Sequence, residues 1–172
     1  FFVIDCMRYD QWVEFERLMY PLFAIDKTYH YSILPTATPY SRNAIFSGLR
    51  PRDLERVYPR LWSEGEEDEH SRNRSEEAFL QGLLKRRRID ARMRYEKIVT
   101  SQQGKDFAQH VNDFTQVDLS AIVVNFVDIL AHSRTDSAVL KEIATDERAY
   151  RAKTRTWFEH SWLYQAFQVL AE

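Results

Sequence analysis

Cysteine is nearly absent. Cys6 is the single thiol of the chain, so no internal disulfide can form, and a reducing, cytoplasmic setting is expected. No apolar run approaches the roughly 18 residues that cross a bilayer, and no basic segment leads into an apolar signal core, so nothing in the sequence spans or targets a membrane. Charge of one sign is not in excess either. Lys and Arg number 24 against 26 Asp and Glu, and the net charge of −2 gives no bulk reason to bind nucleic acid. No Gly/Ser-rich linker and no internal repeat divides the chain. Its 172 residues, 44% hydrophobic, suit one globular domain or a large part of one. An initiator Met is missing as well. The opening FFVID reads as the inside of a buried strand, so the chain is expected to be a piece of a longer polypeptide.

What is present is an alternation of strand-like and helix-like segments. FFVID is too short for a helix and rich in aromatic and β-branched residues, which predicts a central strand. Residues 9–23 place Trp12, Phe15, Leu18 and Met19 at helical spacing. YHYSIL (29–34) is expected as a second strand, SRNAIFSG (41–48) as a short helix closed by Gly48, and Pro51 as a helix start. The charged stretch 63–75 lacks apolar periodicity and reads as a mobile surface loop or lid. Residues 76–88 follow as a helix, 95–100 as a third strand and 102–114 as a short helical segment. LSAIVVNFVD (119–128) is the clearest strand, and 136–172 is mostly helix. This order predicts an α/β fold: three layers, with a largely parallel sheet flanked by helices.

In such sheets ligands bind beyond the carboxyl ends of the strands. FFVID ends in Asp5 and AIVVNFVD in Asp128, so two apolar strands deliver carboxylates to one rim. A turn or helix-capping role would account for each Asp equally well. His132 follows Asp128 by four residues. In a turn of helix the two side chains share a face and can converge on one ion, with oxygen and nitrogen donors of the kind zinc takes. The alternative is a hydrogen-bonded histidine at a helix start.

TATPYSRNAIFSG (36–48) admits two readings of Thr38. It can cap the helix, with Pro39 in the first turn. It can also present a hydroxyl beside unpaired N–H donors and the positive end of the helix dipole, where a phosphate would bind. As a nucleophile it needs an adjacent base or a metal. Arg42 either contacts phosphate oxygens or pairs with a carboxylate. Arg8 and Asp10 lie close enough to line the site, though a helix N-terminal ion pair suits Asp10. The basic run 85–88 complements a helix C-terminus, and His160 sits on an amphipathic helix, where packing or solvation explains it.

These motifs, in this order, resemble the alkaline phosphatase superfamily, whose members have a metal-binding Asp at the end of the first strand, a nucleophile at a helix start and a later D-x-x-x-H. Asp5, Thr38 and the Asp128–His132 pair match those positions. Thr38 lies ten residues before Gly48, with Ser41 and Arg42 at the offsets of the sulfatase-branch motif, which selects Thr38 over Thr36. Sulfatases need Cys or Ser at this position, so phosphate is the expected substrate class. VIDCMRYDQW and TATPYSRNAIFSGL are most similar to the PglZ-type domain of PorX-like response regulators.

The resemblance implies two zinc ions, with Asp5 and Thr38 serving one, and Asp128 and His132 the other. It implies Thr38 and Arg42 as catalytic residues, Ser41 and Arg42 as substrate-binding residues, and hydrolysis of phosphodiesters, nucleotide-derived or short oligonucleotides. It places the domain downstream of a receiver domain as the output of a two-component system. The superfamily completes its metal sites with an Asp-His pair and a further His, for which nothing after His132 is a match. The chain therefore reads as the N-terminal part of such a domain, cut before its C-terminal strands, inactive alone and prone to form a homodimer through an open sheet edge. A regulatory module that binds a nucleotide or protein partner with little turnover is the alternative.

Overall fold

Strands form among the described residues from two apolar runs, FVI and LSAIVV, and from the alternating MRYEKI. In the computed structural model, which describes residues 1–32, 34, 36–63 and 73–172, these are β1 (Phe2–Ile4), β2 (Met93–Ile98) and β3 (Leu119–Val124). The helices are α1 (Tyr9–Met19), α2 (Thr38–Ser47), α3 (Pro51–Val57), α4 (Pro59–Ser63), α5 (Glu76–Arg87), α6 (Ser101–Gln109), α7 (Phe126–Asp136), α8 (Ala138–Ile143), α9 (Glu147–Glu159) and α10 (Trp162–Leu170), with a 3-10 helix over Val111–Gln116. The fold is α/β, a small parallel sheet flanked by helices, as the alternation of segments predicts.

The chain divides into two compact units, Phe1–Lys27 with Arg94–Glu172, and Thr28–Met93. In the first, the sheet order is β1-β3-β2. β1 runs parallel to β3 with Phe2 opposite Ile122, Val3 opposite Val123 and Ile4 opposite Val124. β3 is central, and its Ala121–Val124 run is buried throughout. FFVID is thus an edge strand of the described sheet rather than a central one, and Phe2–Ile4 are only half-buried. The core is aromatic: Phe15 of α1 stacks on Phe158 of α9 at 4.1 Å between centroids, and Phe107 of α6 meets Trp162 of α10 edge-on at 6.1 Å. Gly104 makes that last contact possible. A Cβ there would lie 2.0 Å from the Trp162 indole.

The second unit is helical. Phe46 of α2, Leu54 of α3 and Phe79 and Leu80 of α5 are buried in it. Gly48 ends α2 in the left-handed region (φ 62°), as its position in the sequence predicts. The strand expected over 29–34 does not form among the described residues; Tyr29, Tyr31 and Leu34 are exposed. Aromatic and β-branched residues favour a strand through packing on a sheet face, and these side chains have none. The charged stretch read as a loop over 63–75 falls largely on 64–72, outside the described residues, and is flanked by the end of α4 at Ser63 and the start of α5 at Glu76.

Candidate active site

The register of β1 against β3 brings the first motif to the last. The Asp5 amide donates to Val124 O at 2.9 Å, so the ladder runs one residue past Ile4 and holds Asp5 at the rim, where it is buried. Cys6 follows with φ 60°, a left-handed turn that sends the chain off the sheet at once. Gln11 of α1 then accepts the Arg8 amide at 2.9 Å and fixes the start of that helix.

On the neighbouring strand the sequence expectation needs adjustment. β3 ends at Val124, not at Asp128; Asn125 caps α7, and Asp128 sits in its first turn, where the dipole favours a carboxylate. His132 lies one turn on, its Nε2 3.6 Å from Asp128 Oδ1. The His132 side chain is 72% exposed against 22% for Asp128, so the imidazole stands at the mouth and the carboxylate inside. Between the two rims lies Cys6. Partial burial, then the charges of Asp128 and Asp5, push its pKa up.

Asp128 and His132 thus offer an oxygen and a nitrogen on one helix face, the donor chemistry a divalent cation takes. Among the described residues, no group of three His, Cys, Asp or Glu side chains is arranged to hold a metal. The pair supplies two donors and not a closed shell. His110 and His160 do not extend it: both are exposed, and His110 Nδ1 lies 2.9 Å from Asp106 O.

Beside Cys6 opens a cleft of about 430 Å³ lined by Cys6, Arg8, Gln11, Ala131, Arg134, Lys141 and Tyr150. Arg8 pairs with Asp10 and with Glu147, each at 2.6 Å, and Arg134 reaches Glu147 at 2.5 Å. Arg151 extends the chain of ion pairs from Asp10 at 3.1 Å. The Arg8 hydrogen bonds, with help from Arg151, hold Asp10 down at about 2, and those of Arg134 and Arg8 hold Glu147 below its ordinary value. Both guanidiniums lie over the Tyr150 ring, Arg8 at 5.8 Å and Arg134 at 4.7 Å from its centroid. Arg8 and Asp10 were legible in the sequence as neighbours of the site, but Arg134, Lys141, Glu147 and Tyr150 were not. These lie more than a hundred residues away on α7, α8 and α9, and no local pattern joins them.

Thr38 and its neighbours belong to the second unit. Ala37, not Thr38, is the cap of α2, Thr38 is its first residue and Pro39 its second, and no side chain caps the helix. Tyr40 and Ser41 amides donate to Ala37 O at 3.0 and 3.1 Å, and the half-buried Thr38 hydroxyl is left out of the capping. One turn on, Ser41 Oγ is buried without a hydrogen-bond partner among the described residues. Arg42 pairs with a carboxylate. Its Nε donates to Glu76 Oε1 at 2.7 Å and its Nη2 to Oε2 at 2.5 Å, with Arg42 2% and Glu76 0% exposed. This bidentate bond ties α2 to α5.

The model of a family described as the BREX system PglZ alkaline phosphatase-like domain matches residues 1–157. No curated protein matches the chain. No helix among the described residues is long and apolar enough to cross a membrane.

Proposed function

The chain belongs to the PglZ alkaline phosphatase-like family, and from that premise we propose that it is a metal-dependent phosphodiester hydrolase with Thr38 as nucleophile. The observation that carries the reading is the register of β1 on β3, which puts Asp5 and the Asp128–His132 pair at one end of a parallel sheet. Thr38 Oγ attacks phosphorus and gives up its proton, the bond to the leaving oxygen breaks, and the phosphothreonine is then hydrolysed by water. Asp5, Thr38, Asp128 and His132 are the residues that would hold metal, zinc by resemblance. When bound, the metal supplies Lewis-acid stabilisation of charge on the reacting oxygens.

The Ser41 hydroxyl, buried and without a partner among the described residues, suits a hydrogen bond to a phosphate oxygen. Arg42, held by its bidentate bond to Glu76, is the proposed catalytic and substrate-binding cation beside it. Nucleotide-derived diesters or short oligonucleotides are the proposed substrates. Similarity at VIDCMRYDQW and TATPYSRNAIFSGL supports a cytoplasmic output domain acting after a receiver domain.

A second reading, a regulatory module with little turnover, is favoured by the exposure of His132 and by the incomplete donor set among the described residues. Turnover of bis(p-nitrophenyl) phosphate by the full-length polypeptide in zinc-replete buffer separates the two. Activity that is lost in Thr38→Ala and kept in Thr36→Ala supports the hydrolase. A wild-type protein that binds zinc yet turns over nothing supports the module.

A further inference from the structure

The cleft beside Cys6 has a chemistry that the reaction outlined above leaves unused. Its described lining carries three cationic side chains, Arg8, Arg134 and Lys141, and no carboxylate. The surrounding network does not exhaust them. Arg8 spends Nε and Nη2 on Asp10 and Glu147, and Arg134 spends Nη1 on Glu147. Among the described residues, Nη1 of Arg8, Nε and Nη2 of Arg134 and Nζ of Lys141 make no hydrogen bond or ion pair. Three guanidiniums, Arg8, Arg134 and Arg151, share two carboxylates, Asp10 and Glu147, and Lys141 adds a cation to the cleft. The chain of ion pairs and the Tyr150 face fix the Arg8 and Arg134 guanidiniums before any ligand arrives, so little ordering is left for binding to overcome.

The cleft is also placed where a substrate could use it. Cys6 lines it, directly follows Asp5 in the chain and feels the charges of both Asp128 and Asp5, so the positive cleft adjoins the acidic rim of Asp5 and Asp128. The site has two poles, one suited to a cation and the other to an anion. A substrate with a single phosphate could not occupy the anion pole and present a second phosphate beside the rim. The volume, about 430 Å³, lies in the range of small-molecule sites and exceeds what one water-sized ion needs.

We propose that Arg8, Arg134 and Lys141 form a subsite for a second phosphate on the substrate, next to the one that is cleaved, so that the preferred substrate is a diester carrying an additional phosphate. This rests on the hydrolase reading for the word substrate, but binding alone can test it. Equilibrium binding of the dinucleotides pTpT and TpT, with and without a 5′-phosphate, is measured in EDTA, where no turnover is expected. The protein should bind pTpT about tenfold more tightly than TpT, in a salt-sensitive manner. Lys141→Ala should reduce that preference, and Lys141→Glu should abolish it with TpT binding unchanged. Lys141 carries no described partner, so neither variant removes a contact that holds the fold. Equal binding of the two dinucleotides, a preference that survives Lys141→Glu, or a cleft that takes only free inorganic phosphate overturns the proposal. A preference for pTpT in a protein without turnover would refute the hydrolase reading and leave the subsite standing. Turnover without the preference would do the reverse.

Discussion

The amide of Asp5 donates to the carbonyl of Val124 at 2.9 Å, carrying the β1–β3 ladder to the turn after β1 and to the residue before the Asn125 cap of α7. Residues far apart in the chain thereby share one rim. The parallel pairing of Ile4 with Val124 sets both strand ends at the same height.

The buried pair of Arg42 and Glu76 should be costly to break and inexpensive to replace. Glu76→Gln sets a neutral amide against a guanidinium that is 2% exposed, and urea unfolding should show a loss of about 3–5 kcal/mol. The double variant Arg42→Met/Glu76→Leu should recover most of that loss. A single variant as stable as wild type would show that the pair does not hold α2 to α5.

Gly104 should invert the usual order of helix propensity. In an exposed helix interior, Gly→Ala stabilises by about 1 kcal/mol. Here the added Cβ would meet the Trp162 indole at 2.0 Å, so Gly104→Ala should destabilise by about 1–3 kcal/mol and perturb tryptophan fluorescence. A stabilised Gly104→Ala protein would contradict the α6–α10 packing.

Acid should weaken the cationic network through Asp10. Its folded value is lowered from 3.8 to about 2, chiefly by hydrogen bonding from Arg8. A depressed carboxylate contributes stability above its unfolded value and loses it as pH falls through the folded one, so the loss runs from about pH 4 to about pH 2. Because Asp10 is 38% exposed, solvent and salt reduce the effect. Asp10→Asn should flatten the stability profile in this window at low salt, whereas an unchanged slope would remove Asp10 from the network's pH response.

Thr38→Ala should barely change stability. A capping threonine is worth about 1 kcal/mol, but the cap of α2 is Ala37 and the Thr38 side chain caps nothing. The expected change is within roughly 0.5 kcal/mol by thermal or urea unfolding. A loss as large as that of a cap would return Thr38 to a structural role.

Much of this arrangement was legible in the sequence, and the misses have physical reasons. The buried run of β3 and the Gly48 stop follow from local chemistry that tertiary packing did not override, whereas the strand read through to Asp128 gives way to helix at Phe126. YHYSIL failed because strand preference reflects packing on a sheet, and Tyr31 and Leu34 face solvent instead. The boundary of α2 moved by one residue, which was enough to take the cap from Thr38 and give it to Ala37. The Arg42 partner was unreadable because Glu76 lies 34 residues away on another helix. Arg134, Lys141 and Tyr150 were invisible for the same reason, since only the folded packing of α7, α8 and α9 brings them to Arg8.

The central claim is that Thr38 forms a covalent bond to phosphorus. Acid quench of the protein during turnover of bis(p-nitrophenyl) phosphate, followed by peptide mass spectrometry, tests it directly. The account predicts a phosphoryl adduct on Thr38, absent from Thr38→Ala, whose turnover falls by at least roughly 10³-fold. Turnover that persists in Thr38→Ala, or an adduct on Thr36 or Ser41 in place of Thr38, would contradict it.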